Sequence, residues 1–196
     1  MEISALQKER AAYLPKLPIA LRGAVKVKEG KPTHSVDNQD EIKKLFPNTY
    51  GLPLISFEPG ETMLRKRVNV GVILSGGQAP GGHNVISGLF DRLKQLDPEN
   101  RLYGFLMGPS GLVDHNYKEI TADFVEQFRN TGGFDMIGSG RTKLEEVDQF
   151  EKGMEIIRKL DIQALVIIGG DDSNTNACML AEYYAAKKYG VHYAFE

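Results

Sequence analysis

The segment Val68-Asn69-Val70-Gly71-Val72-Ile73-Leu74 limits what this chain can fold into more than any other. A run of β-branched and other apolar residues without polar alternation must be buried on both sides, and it opens directly into Ser75-Gly76-Gly77. It therefore reads as a central strand feeding a glycine loop. After the loop, Ile86, Leu89, Phe90 and Leu93 follow i, i+3, i+4, i+7 spacing, which predicts a helix over 82–96. Strand, glycine loop and helix form the opening of a βαβ unit, and such units need a sheet covered on both faces.

The pattern recurs. Residues 101–107 read as a strand and 121–129 as a helix capped by Thr121, with Phe124, Val125 and Phe128 inward. Met136-Ile137 is a short strand. Val147, Phe150, Met154, Ile157 and Leu160 share one face of the next helix, and Ala164 to Ile168 is a second buried strand ending in Gly169-Gly170. Ser173 then caps a helix carrying Ala177, Leu180, Ala181, Tyr184 and Ala185 inward; Gly190 stops it, and Val191 to Phe195 begins another strand. The expected fold class is α/β, with a doubly wound, mostly parallel sheet over 67–196. Residues 1–66 are read as an extended arm wrapped over that domain. Prolines 15, 18, 32, 47, 53 and 59 interrupt it, short helices are expected at 4–13 and 39–46, and Leu54 to Phe57 could add an edge strand.

Composition removes several function classes. Basic and acidic residues, 24 against 26, leave a formal charge of −2, which argues against nucleic acid as a partner. The apolar runs are too short to span a bilayer, so no membrane is expected. A lone cysteine, Cys178, and four histidines give neither an intrachain disulfide nor a zinc spacing. With no apolar block near the N-terminus, the expected location is the cytoplasm.

Three loops carry the chemistry. In Ser75-Gly76-Gly77-Gln78-Ala79-Pro80-Gly81-Gly82-His83-Asn84, glycines allow close backbone approach to an anion, and the following helix aims its amide groups at the same point. The spacing is neither GxxxxGK[ST] nor GxGxxG. Gly169-Gly170-Asp171-Asp172-Ser173-Asn174-Thr175 places two adjacent carboxylates before a helix, an arrangement offset by a cation such as Mg²⁺ shared with phosphate oxygens. Gly138-Ser139-Gly140-Arg141-Thr142-Lys143 offers Arg141 as a clamp for phosphate oxygens and for charge in a transition state. Taken singly, a tight turn, an N-cap by Asp172 or Ser173, and a solvated arginine would account for these loops. Their convergence at the carboxyl ends of strands in one sheet points to a ligand site. His83 and Asn84 are assigned to ordering the first loop, and Cys178 to packing.

In order and spacing these three loops resemble the phosphofructokinase superfamily, and within it the diphosphate-dependent branch. The likeness runs from about Lys43-Lys44-Leu45-Phe46-Pro47-Asn48 through Gly190. It implies a Mg²⁺-dependent, reversible transfer of a phosphoryl group from diphosphate to the 1-hydroxyl of fructose 6-phosphate. It further implies that Gly76, Gly77, Arg141 and Ser173 bind diphosphate, that Asp171 holds the metal, and that Arg141 and Asp172 belong to the catalytic set. In ATP-using relatives the position of Asp172 is glycine, and a carboxylate there would fill the space of the nucleotide α-phosphate and repel its charge.

The resemblance also defines what is expected to be missing. Relatives continue into a Pro-Lys-Thr-Ile-Asp-Gly-Asp loop bearing the general base, and further on into sugar-phosphate-binding residues. This chain ends at Val191-His192-Tyr193-Ala194-Phe195-Glu196, so it is read as a truncated N-terminal portion that lacks the base, inactive alone, its ending set by an altered reading frame or a gene-model break. The full-length enzyme is expected to be a homo-oligomer acting on diphosphate and fructose 6-phosphate. Alternatives are an ATP-dependent 6-phosphofructokinase, or a non-catalytic subunit that binds diphosphate and Mg²⁺.

Overall fold

A computed structural model describes residues 4–61, 66–190 and 192–195. The first segment contains α1 (Ala5–Ala12), a 3-10 turn at Ile19–Leu21, β1 (Val25–Pro32), α2 (Gln39–Leu45) and β2 (Pro53–Pro59). There follow β3 (Asn69–Leu74), α3 (Gly82–Leu96), β4 (Leu102–Phe105), α4 (Pro109–Val113), β5 (Tyr117–Glu119) and α5 (Ala122–Phe128). The last elements are α6 (Val147–Lys159), β6 (Ile162–Ile168), α7 (Asp171–Ala186) and β7 (His192–Phe195).

All six residues of β3 are buried, as an apolar run without alternation requires. It sits at the centre of a five-stranded sheet ordered β5-β4-β3-β6-β7. β3 runs parallel to β4 and β6, β6 runs parallel to β7, and β5 alone is antiparallel, to β4. Successive side chains of β3 divide between two cores. Val70, Val72 and Leu74 pack with Ile86, Phe90 and Leu93 of α3 and Val125 of α5. Ile73 faces the other way, with Leu165 and Ile167 of β6, Phe150, Met154 and Ile157 of α6, and Leu180 and Tyr184 of α7. Gly71 is where the second core comes closest to the backbone: a Cβ there would lie 2.8 Å from Leu165 Cδ1 and 2.9 Å from a Phe105 ring carbon.

The order of connections places the site. From β3 the chain moves through α3 to β4 on one side, then returns across the sheet through α6 to β6 on the other. The reversal lies between β3 and β6, and the gap above their carboxyl ends is where doubly wound sheets bind ligands. The parallel, two-faced sheet expected from the sequence is therefore present.

Several elements depart from expectation. Met136 and Ile137 are buried but form no strand. Met136 N–H donates to the His83 ring, and the Ile137 carbonyl accepts from Met107 N–H, so side chain and loop satisfy this backbone where a ladder was expected. Gly138 at φ 67 then turns the chain away. The expected strand 101–107 ends at Phe105, and Gly108 with Pro109 starts the short α4. At five and three residues, α4 and β5 are too short for periodicity to register. Thr121 stands at the N-cap of α5 without a side-chain capping bond, and α7 starts at Asp171, two residues before the expected cap Ser173. The expected start of the last strand, Val191, lies outside the described residues.

The Leu54–Phe57 stretch does form a strand, but it pairs antiparallel with β1 in a separate two-stranded sheet, Val27 opposite Phe57 and Glu29 opposite Ile55. The first segment reaches the main sheet's helices through specific polar contacts. Asn130 Nδ2 donates to the carbonyls of Arg10 at 2.7 Å and Tyr13 at 3.0 Å. Asn48 N–H and Thr49 Oγ1 each donate to the Glu182 carboxylate of α7 at 2.9 Å.

Tyr184 ties α7 to α6: it is 1% exposed, its hydroxyl donates to the Phe150 carbonyl at 2.8 Å, and Gly153 leaves room for it, since a Cβ there would stand 2.7 Å from that hydroxyl. Tyr184→Phe should cost about 1 kcal/mol, the net worth of one buried hydrogen bond. Tyr184→Ala should cost about 3–5 kcal/mol through the cavity it leaves. Urea unfolding of the two variants measures both values.

Candidate functional site

The ends of β3 and β6 approach each other almost without intervening side chains. Ser75 N–H donates to the Ile168 carbonyl at 2.7 Å, and a Cβ at Gly169 would stand 2.6 Å from the Ser75 carbonyl and 2.5 Å from Ser173 Oγ. Gly76, at φ 93, occupies backbone space that favours glycine and donates its N–H to the Gly140 carbonyl at 2.8 Å. Ser75 and Gly140 thus form a single parallel bridge that brings the arginine loop alongside. Gly77 lies beneath Arg141: a Cβ there would meet a terminal guanidinium nitrogen at 2.8 Å.

These contacts frame a cleft of about 220 Å³. Ser75 and Gly76 line it from the first loop, Arg141, Thr142 and Lys143 from the second, and Asp172, Ser173 and Asn176 from α7. The backbone N–H groups of Asp171, Asp172 and Ser173 open α7 and have no partner within the helix, so the positive end of its dipole faces the cleft edge. Of the residues named from sequence, Gly76, Arg141, Asp172 and Ser173 line one cavity. Gly77 supports Arg141 from below, and Asp171 stands one position earlier, exposed and outside the lining. Among the described residues, Arg141, Lys143, Asp171 and Asp172 make no ion pair with one another or with any other residue. Two unpaired cations face one lining carboxylate, an arrangement that attracts an anion.

Lys143, Thr142 and Asn176 were not singled out from sequence. Asn176 was within reach: four residues after Asp172 on α7, it must share that residue's face. Lys143 offered no such signal, because only the bridge at Gly140 and the course of the loop turn it toward the cleft.

The later part of the glycine loop does other work. Gly81 N–H donates to the Gly132 carbonyl at 2.8 Å and His83 N–H to the Gly133 carbonyl at 2.9 Å. The His83 amide at the start of α3 is therefore spent on residues 131–134 and is not free for an anion, which corrects that part of the expectation. His83 is 3% exposed and accepts at Nε2 from the backbone N–H groups of Asp135 at 3.0 Å and Met136 at 2.9 Å. Thr131 Oγ1 donates to the Phe128 carbonyl, so at its 2.6 Å contact with His83 it accepts, and Nδ1 carries the ring proton. Burial lowers the imidazole pKa, outweighing the opposing pull of the Asp135 carboxylate 2.8 Å from Nε2. His83 was expected to order the first loop; its ring instead holds residues 131–136, the segment leading into the Arg141 loop.

For a metal, the available donors are oxygens. Among the described residues no group of three or more His, Cys, Asp or Glu side chains is placed to hold an ion. Asp171 and Asp172 remain, exposed and adjacent, a donor set that suits a hard cation completing its shell with phosphate oxygens and water. No helix among the described residues is long and apolar enough to cross a membrane.

A doubly wound α/β sheet with charges of both signs gathered at its switch point belongs to the class of folds that bind ligands in that crevice. The phosphofructokinase family model matches residues 69–192, and the chain belongs to that family. It is 64% identical over 192 residues to a pyrophosphate–fructose 6-phosphate 1-phosphotransferase of Porphyromonas gingivalis, covering 97% of this chain and 35% of that protein. Identity to the Entamoeba histolytica protein of the same name is 49%, covering 95% and 35%, and to subunit beta 1 from Arabidopsis thaliana 48%, covering 94% and 33%. The chain spans about a third of the length of these curated relatives. Among solved structures, a pyrophosphate-dependent phosphofructokinase from Marinobacter aquaeolei superposes with a TM-score of 0.57 at 18% identity, over 65% of this chain and 32% of that one. Pichia pastoris phosphofructokinase gives 0.55 at 22%, over 70% and 15%. At these identities the structures attest the fold alone.

The His83 contacts set a pH dependence. A folded-state pKa below the ordinary histidine value means that, as pH falls below about 6.5, the unfolded chain takes up a proton that the folded chain excludes. Stability from this group is fully present above that pH and declines below it. Urea midpoints should therefore drop between pH 7.5 and 5.5, and His83→Asn should show a smaller drop over the same range.

Proposed function

We propose that this chain provides the diphosphate- and metal-binding part of a reversible phosphotransferase that moves a phosphoryl group from diphosphate to the 1-hydroxyl of fructose 6-phosphate. The observation that carries the reading is the convergence of Gly76, Arg141, Lys143, Asp172 and Ser173 on one cleft above the ends of β3 and β6. The names of the similar proteins support the choice of substrates. Residues 67–196 form the binding unit in this proposal and 1–66 its arm; a cytoplasmic location and a homo-oligomeric enzyme belong to the same reading.

Each residue has a distinct task. The Gly76 and Ser173 loops approach the phosphates closely, with the open end of α7 adding its dipole. Arg141 offers a planar fork to phosphoryl oxygens, stabilises the charge that spreads over them during transfer, and lies beside Lys143 as a point charge. Asp171 would hold Mg²⁺, and the exposed carboxylate pair fits such an ion; when bound, the metal neutralises phosphate charge. Asp172 occupies volume and carries charge on the cleft wall, which disfavours the longer triphosphate chain of a nucleotide. The task assigned to the cleft is donor binding.

Isothermal titration of the 196-residue chain with Mg²⁺ and diphosphate should give saturable binding near one to one. Arg141→Ala should weaken it by roughly 10- to 100-fold, as loss of a charge-assisted bidentate contact does. No binding by the unmodified chain would overturn the proposal. In the same assay Asp172→Gly should improve ATP binding by about tenfold while leaving diphosphate binding within about threefold; an unchanged preference would remove the role given to Asp172.

A further inference from the structure

The residues Arg141-Thr142-Lys143 bring two cations to the cleft on a span with no regular secondary structure. What fixes such a span must lie at its ends. On the N-terminal side, Gly140 is held to the end of β3 by the Gly76 N–H and the Ser75 bridge. On the C-terminal side, one side chain grips the backbone twice. Leu144 N–H donates to Asn176 Oδ1 at 3.0 Å, and Asn176 Nδ2 donates to the Leu144 carbonyl at 2.5 Å. A carboxamide that pairs with one residue's N–H and C=O in both directions reproduces a rung of a strand ladder, using a side chain in place of a strand. Leu144 itself is buried in the core that α6 and α7 share, and the two bonds of the grip are partly buried.

Asn176 belongs to α7 and lies one turn after Asp172, on the face that lines the cleft. The helix that presents the two carboxylates is thereby tied directly to the span that presents the two cations. We infer that Asn176 is a positioning residue: through the Leu144 backbone it sets where Arg141 and Lys143 stand relative to Asp171 and Asp172. The inference rests on the diphosphate-binding reading above, because its functional effect is measured through that ligand. Without the carboxamide, the Leu144 backbone loses both hydrogen-bond partners, and this end of the span is left with the Leu144 side chain in the core and the Gln149 bonds to the Glu145 and Glu146 N–H groups. The cations would then spend part of their time away from the place a diphosphate needs them.

A thermodynamic cycle separates positioning from general support. Mg²⁺-diphosphate binding is titrated on the 196-residue chain and on Arg141→Ala, Asn176→Ala and the double variant. Asn176→Ala should weaken binding by about tenfold in the original background and by a clearly smaller factor, about threefold, when Arg141 is already absent and only Lys143 is left to position. Equal losses in both backgrounds, or no loss in the first, would overturn the inference. Should Asn176→Ala fail to fold, Asn176→Ser, which keeps one polar atom near Leu144, is measured in its place against the same criterion. Amide hydrogen exchange supplies a readout independent of ligand. Protection should fall at least about tenfold at Leu144 and across 141–144 while β3 and β6 keep theirs; unchanged protection at Leu144 would overturn the inference. If the unmodified chain binds no diphosphate, the functional reading fails on its own, and the exchange measurement still decides whether Asn176 holds the span.

Discussion

The close approach of two strand ends, β3 at Ser75 and β6 at Gly169, is the constraint on which the rest of this structure depends. A side chain at residue 169 would collide with the Ser75 carbonyl and with Ser173. Glycine lets the backbones meet, and the meeting puts the head of α7 beside the loop after β3. The third loop is drawn in by the same device, since the Gly76 N–H bonds the Gly140 carbonyl. The width of the cleft is therefore a property of main chain and hydrogen bonds, and its charge comes from side chains mounted on that frame. This division suits phosphoryl transfer, where positioning and charge neutralisation do most of the work.

The electrostatics follow from the frame. Two carboxylates at the start of α7 gain from the helix dipole, and two cations stand on the facing span, yet no ion pair joins the sets among the described residues. Groups left uncompensated at a cleft are available to a ligand that brings both signs, as a metal-bound diphosphate does. A different arrangement holds two of the helices together. Arg129 holds Asp91 through two nitrogens at 2.8 and 2.9 Å and Glu126 through a third at 2.8 Å, a cluster that joins α3 to α5 far from any chemistry.

How much of this was legible in the sequence depended on the range of the interaction. Val68 to Leu74 and Ala164 to Ile168 declared themselves as buried strands because two-sided burial leaves no room for polar alternation. Helices α3, α6 and α7 were legible from periodic apolar faces. The strand expected at Met136-Ile137 was misread because the backbone of these buried residues is satisfied by the distant His83 ring and by the Met107 amide, contacts that no local pattern encodes. β1 was missed because Val25-Lys26-Val27-Lys28-Glu29-Gly30-Lys31-Pro32 alternates weakly and pairs with a partner across a long loop. In the site, Gly76, Arg141, Asp172 and Ser173 were legible because loops at strand ends converge by topology. Lys143 and the double grip of Asn176 on Leu144 depend on the path of an irregular span, which only three dimensions reveal.

The buried ring of His83 has one more consequence. Its Nδ1 proton is locked to Thr131, its Nε2 lone pair is shared by two backbone amides, and the ring of Phe128 closes over it edge-on at 5.0 Å between centroids. Solvent cannot collect that proton while the 131–136 segment lies against α3. Exchange of that ring proton for solvent deuterium therefore reports on opening of the segment that leads to the arginine loop.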